Sequence, residues 1–270
     1  MSYSTTLGIG SVRERVDYWT PRLLGVALAV VLWYLLSLTF PLGLMPGPLE
    51  TVALTADLYM TGGAFEHLVP TLTRIIFGFI GAMVVGTAVG IAMGTSTFGR
   101  KIFAPYIVAG LALPSVAVAA IATLIFGLTL AAPVSTAVIA VFPFIAINVW
   151  KGVEDIDQSL LEMTRSFDIS NRRMIRRVVL PSIAPALFSA FRFGLALSWK
   201  VVTVAEVFAS SDGVGWVIFQ TYQQTFFTQT WAWAAVFIVV IIVVEYLLFR
   251  PLETYVFSYR QDAELEMSVR

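Results

Sequence analysis

Apolar residues fill this chain in six long runs, and polar residues gather in the gaps between them. The first run, 22–40, is uncharged from Leu23 onward and matches the roughly 20 residues that one helix needs to cross a bilayer. The Pro- and Gly-rich stretch PLGLMPGPLE follows, then a moderately amphipathic piece from Thr51 to Met60 that is expected to lie at the outer surface. A second span is expected at 67–95, where Gly78, Gly81, Gly86, Gly90 and Gly94 would let a neighbouring helix approach closely. From Ile102 to Trp150 no charged residue occurs. That length is too great for one span and suits two, 103–126 and 133–150, with a turn at Gly127 to Pro133. Pro105 and Pro114 fall in the first of these and Pro143 in the second, where each should kink or locally open the backbone ladder. Pro114 and Pro143 are therefore candidates for lining a pathway, with plain packing as the competing role. Spans five and six are expected at 186–209 and 231–249.

Composition changes a list of helices into a membrane protein. Hydrophobic residues make up 58% of the chain and charged ones 13%, about half the usual share of a soluble domain. The pattern predicts an all-α integral membrane protein with six transmembrane helices. It has one membrane domain, 21–251, between polar tails at 1–20 and 252–270. The first tail carries Arg13, Glu14, Arg15 and Asp17 and has no cleavage signal, so it is read as a cytoplasmic tail rather than a signal peptide.

The polar gap at 151–185 is the largest. Of the 17 Lys and Arg in the chain, Lys151, Arg165, Arg172, Arg173, Arg176 and Arg177 fall here, together with Glu154, Asp155, Asp157, Glu162 and Asp168. Ile156, Leu160, Met163 and Phe167 share one face of a short helix, with Glu162, Arg165 and Ser166 directed elsewhere. After a bend at Asp168 to Asn171, with Ser170 or Asn171 as cap, a second helix sets the four arginines on one side and Met174, Ile175 and Val178 on the other. Four arginines on one side mark a surface for a partner rather than a loop folded only under its own bundle.

The distribution of basic residues orients the bundle. With both termini cytoplasmic, the inner segments carry Arg13, Arg15, Arg22, Arg100, Lys101, the six basic residues of the central stretch, Arg250, Arg260 and Arg270. The outer segments, 41–66, 127–133 and 210–230, carry none. Arg74, Arg192 and Lys200 alone lie inside the expected spans. Arg192 could snorkel inward and Arg74 outward, as anchors or structural pairs. Lys200, Glu206 and Glu245 lie deeper and either satisfy one another or backbone carbonyls, or face the cargo; Lys200 is a cation placed to meet an anionic cargo.

Enzymatic chemistry finds few residues to work with. There is no phosphate-cradling GxxxxGK[ST] loop, cysteine is absent and His67 is the single histidine, so no catalytic residue, metal site or cofactor is expected. His67, beside Glu66 and Pro70, suits interfacial packing. Basic residues are not interleaved with aromatic ones, so nucleic acid is not expected as a partner.

The central stretch resembles the cytoplasmic loop of binding-protein-dependent ABC importer permeases, whose pattern is Glu-Ala-Ala, a following glycine and an Ile-x-Leu-Pro ending. Glu162, Met163 and Thr164 stand at the triplet, Asp168 at the glycine, and Val178, Val179, Leu180 and Pro181 at the end; both alanines and the glycine are replaced. The likeness extends from about Pro46 to Glu206 through PGPLETV, HLVPTLTRIIFGF, FPFIAINVWKGVEDID and FRFGLALSWKVVTVAEVF, and GVGWVI at 213–218 also fits. It is similar to the nitrate/sulfonate/taurine branch. The resemblance implies the type I ABC importer permease fold, a multi-pass protein of the inner or plasma membrane, and a homodimer or paired permease. It also implies two cytoplasmic ATP-binding subunits and an extracytoplasmic solute-binding protein. Leu160, Met163 and Phe167 would then be apolar anchors in the ATPase, Glu162 and Arg165 the polar rim, and Asp168 the bend. The cargo would be a small anion such as a sulfonate, nitrate or carboxylate, or a vitamin precursor. The rival class is an ion-coupled secondary transporter relaying through Lys200, Glu206 and Glu245.

Overall fold

The computed structural model describes residues 9–41, 43–157, 159, 166–167, 170–244 and 246–247, and these are almost entirely helical. In chain order the helices are α1 (Ile9–Thr39), α2 (Pro48–Met60), α3 (Gly63–Thr95), α4 (Thr97–Ala112), α5 (Ser115–Phe126) and α6 (Ala131–Glu154). After the central stretch come α7 (Asn171–Met174), a π-helical turn (Ile175–Val179), α8 (Leu180–Ser182), α9 (Ala184–Ala209), α10 (Val214–Gln223) and α11 (Phe227–Val244). Among the described residues five helices are long and apolar enough to cross a membrane, six when α4 and α5 count as one broken span.

That break differs from the single kinked span expected at 103–126. α4 and α5 meet at 101°. Leu113 and Pro114 are both extended, with ψ 127° and 126°. The proline ring disfavours helical backbone in the residue before it, and with two successive residues out of the helix the chain turns a corner. The carbonyl of Pro114 then accepts from Ala117 and Val118 to start α5. Pro143 behaves differently: it stays inside α6, buried, and a Cβ on Gly110 of α4 would lie 2.6 Å from its ring. It serves as a close-packing surface.

The core is the seam between α3 and α6. A Cβ placed on Gly78, Gly86 or Gly90 would fall 2.5–2.7 Å from Ala137, from Ile145, or from Val149 and the Ala146 carbonyl. Only glycine permits this helix separation, which follows the small-residue rule for packing in lipid, where close van der Waals contact replaces the hydrophobic effect. Ile75 and Phe79 of α3, Val141, Ile145 and Val149 of α6, and Leu195 and Val202 of α9 form the main cluster. A smaller one joins Leu68 of α3, Val214 and Val217 of α10, and Trp233 and Val236 of α11. The apolar part of α1 stands almost alone. The Trp33 indole donates to the Pro46 carbonyl (3.1 Å) and stacks on Trp231 at 6.0 Å. α2 is tied to α11 by Tyr59, whose hydroxyl donates to the Val236 carbonyl at 2.9 Å.

Candidate translocation and coupling sites

Three charged side chains meet where α3, the end of α9 and the start of α10 converge. Arg74 points into the bundle rather than snorkelling outward, and its side chain is 7% exposed. It donates to Glu206 Oε1 at 2.7 Å, to the Asp212 carbonyl at 3.0 Å and to the Asp212 carboxylate. Glu206 is fully buried and accepts three kinds of donor. Besides Arg74, Thr71 Oγ1 lies 2.8 Å and 3.0 Å from its two oxygens, and the Gly215 N–H donates to Oε2 at 2.8 Å. The carboxylate thus caps α10, where the helix dipole and its free N–H groups favour negative charge. Val214 N–H donates to Thr71 Oγ1 at 2.8 Å, so α9 and α3 each hold the same helix start.

Glycine makes the junction possible. Gly213 has φ +99°, and a Cβ there would lie 2.5 Å from the Glu206 carboxyl; a Cβ on Gly215 would lie 2.0 Å from the Thr203 carbonyl. Asp212, half exposed, closes the outer side and takes a further hydrogen bond from Ser210 Oγ at 2.9 Å. Burial pushes its carboxyl up, but the hydrogen bonds from Arg74 and Ser210 and the guanidinium charge outweigh that and hold it below its ordinary value. His67 packs edge-on to Trp233 at 5.1 Å and beside Trp216, and its Nδ1 accepts from the Gly213 N–H at 3.3 Å.

The expected mutual pairing of Lys200 and Glu206 is absent among the described residues. Glu206 faces inward to Arg74, while Lys200 lies on the exposed side of α9, and Glu245 is outside the described residues. A lysine six positions before a glutamate sits about 240° away around a helix, so the two cannot share a face. Arg74 as the partner of Glu206 was not anticipated. The available signal was an opposite charge near the same end of another expected span, which a buried carboxylate requires.

Of the coupling candidates, Leu160, Glu162, Met163, Arg165 and Asp168 lie outside the described residues; Phe167 is 73% exposed. Beside them, the Asp157 carboxylate accepts from the Ser159 N–H at 2.9 Å, and the hydrogen bonds from Ser159 hold that exposed carboxyl below its ordinary value. The arginine-bearing segment is anchored by its other side: Met174, Val179 and Ile183 are buried with Val153 and Ile156 in the main core. A Cβ on Gly152 would lie 2.3 Å from Ala186, so α6 and α9 emerge in close contact around this stretch. α9 therefore carries the coupling stretch at one end and the ion-paired junction at the other, about 33 Å apart by helical rise from Ala184 to Glu206.

The chain shares recognisable features with known transport proteins. Residues 64–255 match the family described as binding-protein-dependent transport system inner membrane component. The putative aliphatic sulfonates transport permease protein SsuC of Bacillus subtilis is 27% identical over 217 residues, covering 78% of this chain and 76% of the relative. The bicarbonate transport system permease protein CmpB of Synechococcus elongatus is 28% identical over 232 residues, covering 81% and 83%. Among solved structures, inward-facing MetNI methionine ABC transporter superposes with a TM-score of 0.60 at 19% identity, over 71% of this chain and 94% of that one, which establishes a common fold.

Proposed function

Because this chain belongs to the family of binding-protein-dependent transport system inner membrane components and is the permease of an ABC importer, we propose that it conducts a small anion across the inner membrane. In this reading two copies pair, or one copy pairs with a second permease. Two ATP-binding subunits in the cytoplasm drive them, and an extracytoplasmic binding protein delivers the cargo. The observation that carries the anion reading is Lys200. It is exposed on α9, about 14 Å by helical rise from the helix end at Ala209, and no carboxylate pairs with it among the described residues. An ammonium at that depth is costly unless it faces water, a partner or cargo. Relatives named for sulfonate and bicarbonate transport carry anions, which agrees.

Coupling follows from the two-ended geometry of α9. Leu160, Met163 and Phe167 seat in the ATP-binding subunit with Glu162 and Arg165 at the rim and Asp168 at the bend. Closure of that partner moves the ends of α6 and α9 as a unit, because Gly152 and Ala186 leave no space between them. Pro114, at the corner between α4 and α5, lets these helices line the pathway at an angle. Pro143, packed on Gly110, keeps α4 against α6. The secondary-transporter alternative loses its relay, since Glu206 is committed to Arg74, Thr71 and Gly215.

The test is ATP-dependent uptake in proteoliposomes holding the permease, its ATP-binding subunits and the binding protein, with taurine, an alkanesulfonate, nitrate and bicarbonate as cargo. Lys200→Met is expected to lower uptake at least on the order of tenfold, the loss of one charge-assisted contact, with cargo binding to the receptor unchanged. Full uptake by Lys200→Met overturns the role of Lys200. Uptake driven by an ion gradient without ATP overturns the importer reading.

A further inference from the structure

The arginine side of the 171–182 segment has no assigned use once the apolar knob around Phe167 is given to the ATPase. Arg172, Arg173, Arg176 and Arg177 are all exposed, while Met174, Val179 and Ile183 behind them are buried in the bundle. Among the described residues no carboxylate pairs with any of the four. A nearby cation is treated differently: Arg100 pairs with Glu154 and lies 5.0 Å over the Trp150 ring. The π-turn helps to hold this arrangement, since the Leu180 N–H donates to the Ile175 carbonyl, widening the helix where Arg176 and Arg177 project while Val179 stays buried.

We propose that this face binds the phosphate headgroups of anionic phospholipids in the leaflet beneath which it lies, with Arg176 and Arg177 as the principal contacts. Arg177 precedes the start of α9 at Ala184 by about 10 Å of helical rise, and the headgroup layer is about 5–8 Å deep on each side. A guanidinium on its flexible stem spans the difference and attracts the phosphate chiefly by its charge. Basic clusters immediately flanking a span, on an amphipathic segment, have the chemistry expected for anionic lipid. The orientation proposed above only sets which leaflet this is, namely the inner one.

The test uses the assembled transporter, purified with its ATP-binding subunits and titrated with phosphatidylglycerol or phosphatidylcholine in detergent, with bound lipid counted by native mass spectrometry. Phosphatidylglycerol should bind in preference to phosphatidylcholine and be released by salt. Arg176→Gln and Arg177→Gln should each weaken its binding about fivefold, whereas Arg176→Lys should retain most of it, and the ATP-binding subunits should stay attached throughout. Equal binding of the two lipids by the unaltered complex, or salt-independent retention, overturns the proposal without need of any variant. Loss of the ATP-binding subunits from the Gln variants with phosphatidylglycerol binding intact assigns the arginine face to the protein partner and also overturns it. That outcome leaves the importer reading standing.

Discussion

Removing both sides of the Arg74–Glu206 pair together should destabilise the permease no more than severing one side alone. In Glu206→Leu, Arg74 keeps its bonds to Asp212 but loses the carboxylate at 2.7 Å, and the Thr71 hydroxyl and the Gly215 N–H lose their acceptor in a fully buried place. Removing one partner of a buried ion pair costs about 3–5 kcal/mol, because the other charge stays desolvated. In Arg74→Met the stranded charge is Glu206, and a similar loss is expected. The double variant Arg74→Met/Glu206→Leu strands no buried charge, since Asp212 is half exposed; its cost falls to that of two orphaned donors and altered packing, also about 3–5 kcal/mol in total. The single losses would sum to about 6–10 kcal/mol, so the cycle should show a compensating interaction of about 3–5 kcal/mol. At about 2–4 °C per kcal/mol, each single variant should melt on the order of 10 °C below the unaltered protein, and the double variant no lower than the worse single. Tryptophan fluorescence of the detergent-purified permease on heating measures this. Strictly additive losses, or single losses under about 1 kcal/mol, would mean that the pair bears none of the junction's stability.

Gly213→Ala should lower the melting temperature as well, since φ +99° is strained for a side chain and the new Cβ would lie 2.5 Å from the Glu206 carboxyl; about 1–3 kcal/mol is expected. Gly90→Ala should force α3 from α6 at the Ala146 carbonyl and Val149, at about 1–3 kcal/mol of overpacking, and normal melting would place the seam elsewhere. The Asp212 carboxyl, depressed in the folded state, should contribute stability that is complete above the ordinary carboxylate value and lost as pH falls through its lowered one. Asp212→Asn should flatten the acid limb of a plot of melting temperature against pH, and an unchanged limb would remove Asp212 as its source. Phe167→Asp or Glu162→Lys should abolish stimulation of the ATP-binding subunits while membrane insertion is retained; unchanged transport by both would count against docking through this stretch.

Much of the fold is legible from composition and periodicity because a bilayer imposes simple demands. A span needs about 20 apolar residues whose backbone is satisfied internally, and the apolar runs in this chain locate the long helices. The glycines of α3 announced a close helix contact, although nothing in their spacing named α6 as the neighbour. Pro114 announced a disturbance, yet the 101° corner depends on Leu113 and Pro114 leaving the helix together, an outcome set by what α4 and α5 pack against.

The charged residues divide the same way. Sequence by itself set the basic residues of the connecting segments to one side of the membrane and marked Lys200 and Glu206 as expensive within it, but it left their mutual pairing open. Only the tertiary structure decided that Glu206 belongs with Arg74, 132 positions away, and that Asp212 and the turn at Gly213 close the junction. Hydropathy and periodicity are local properties, summed along a few turns of helix. A buried carboxylate selects its partner by three-dimensional distance, and helix packing fixes that distance.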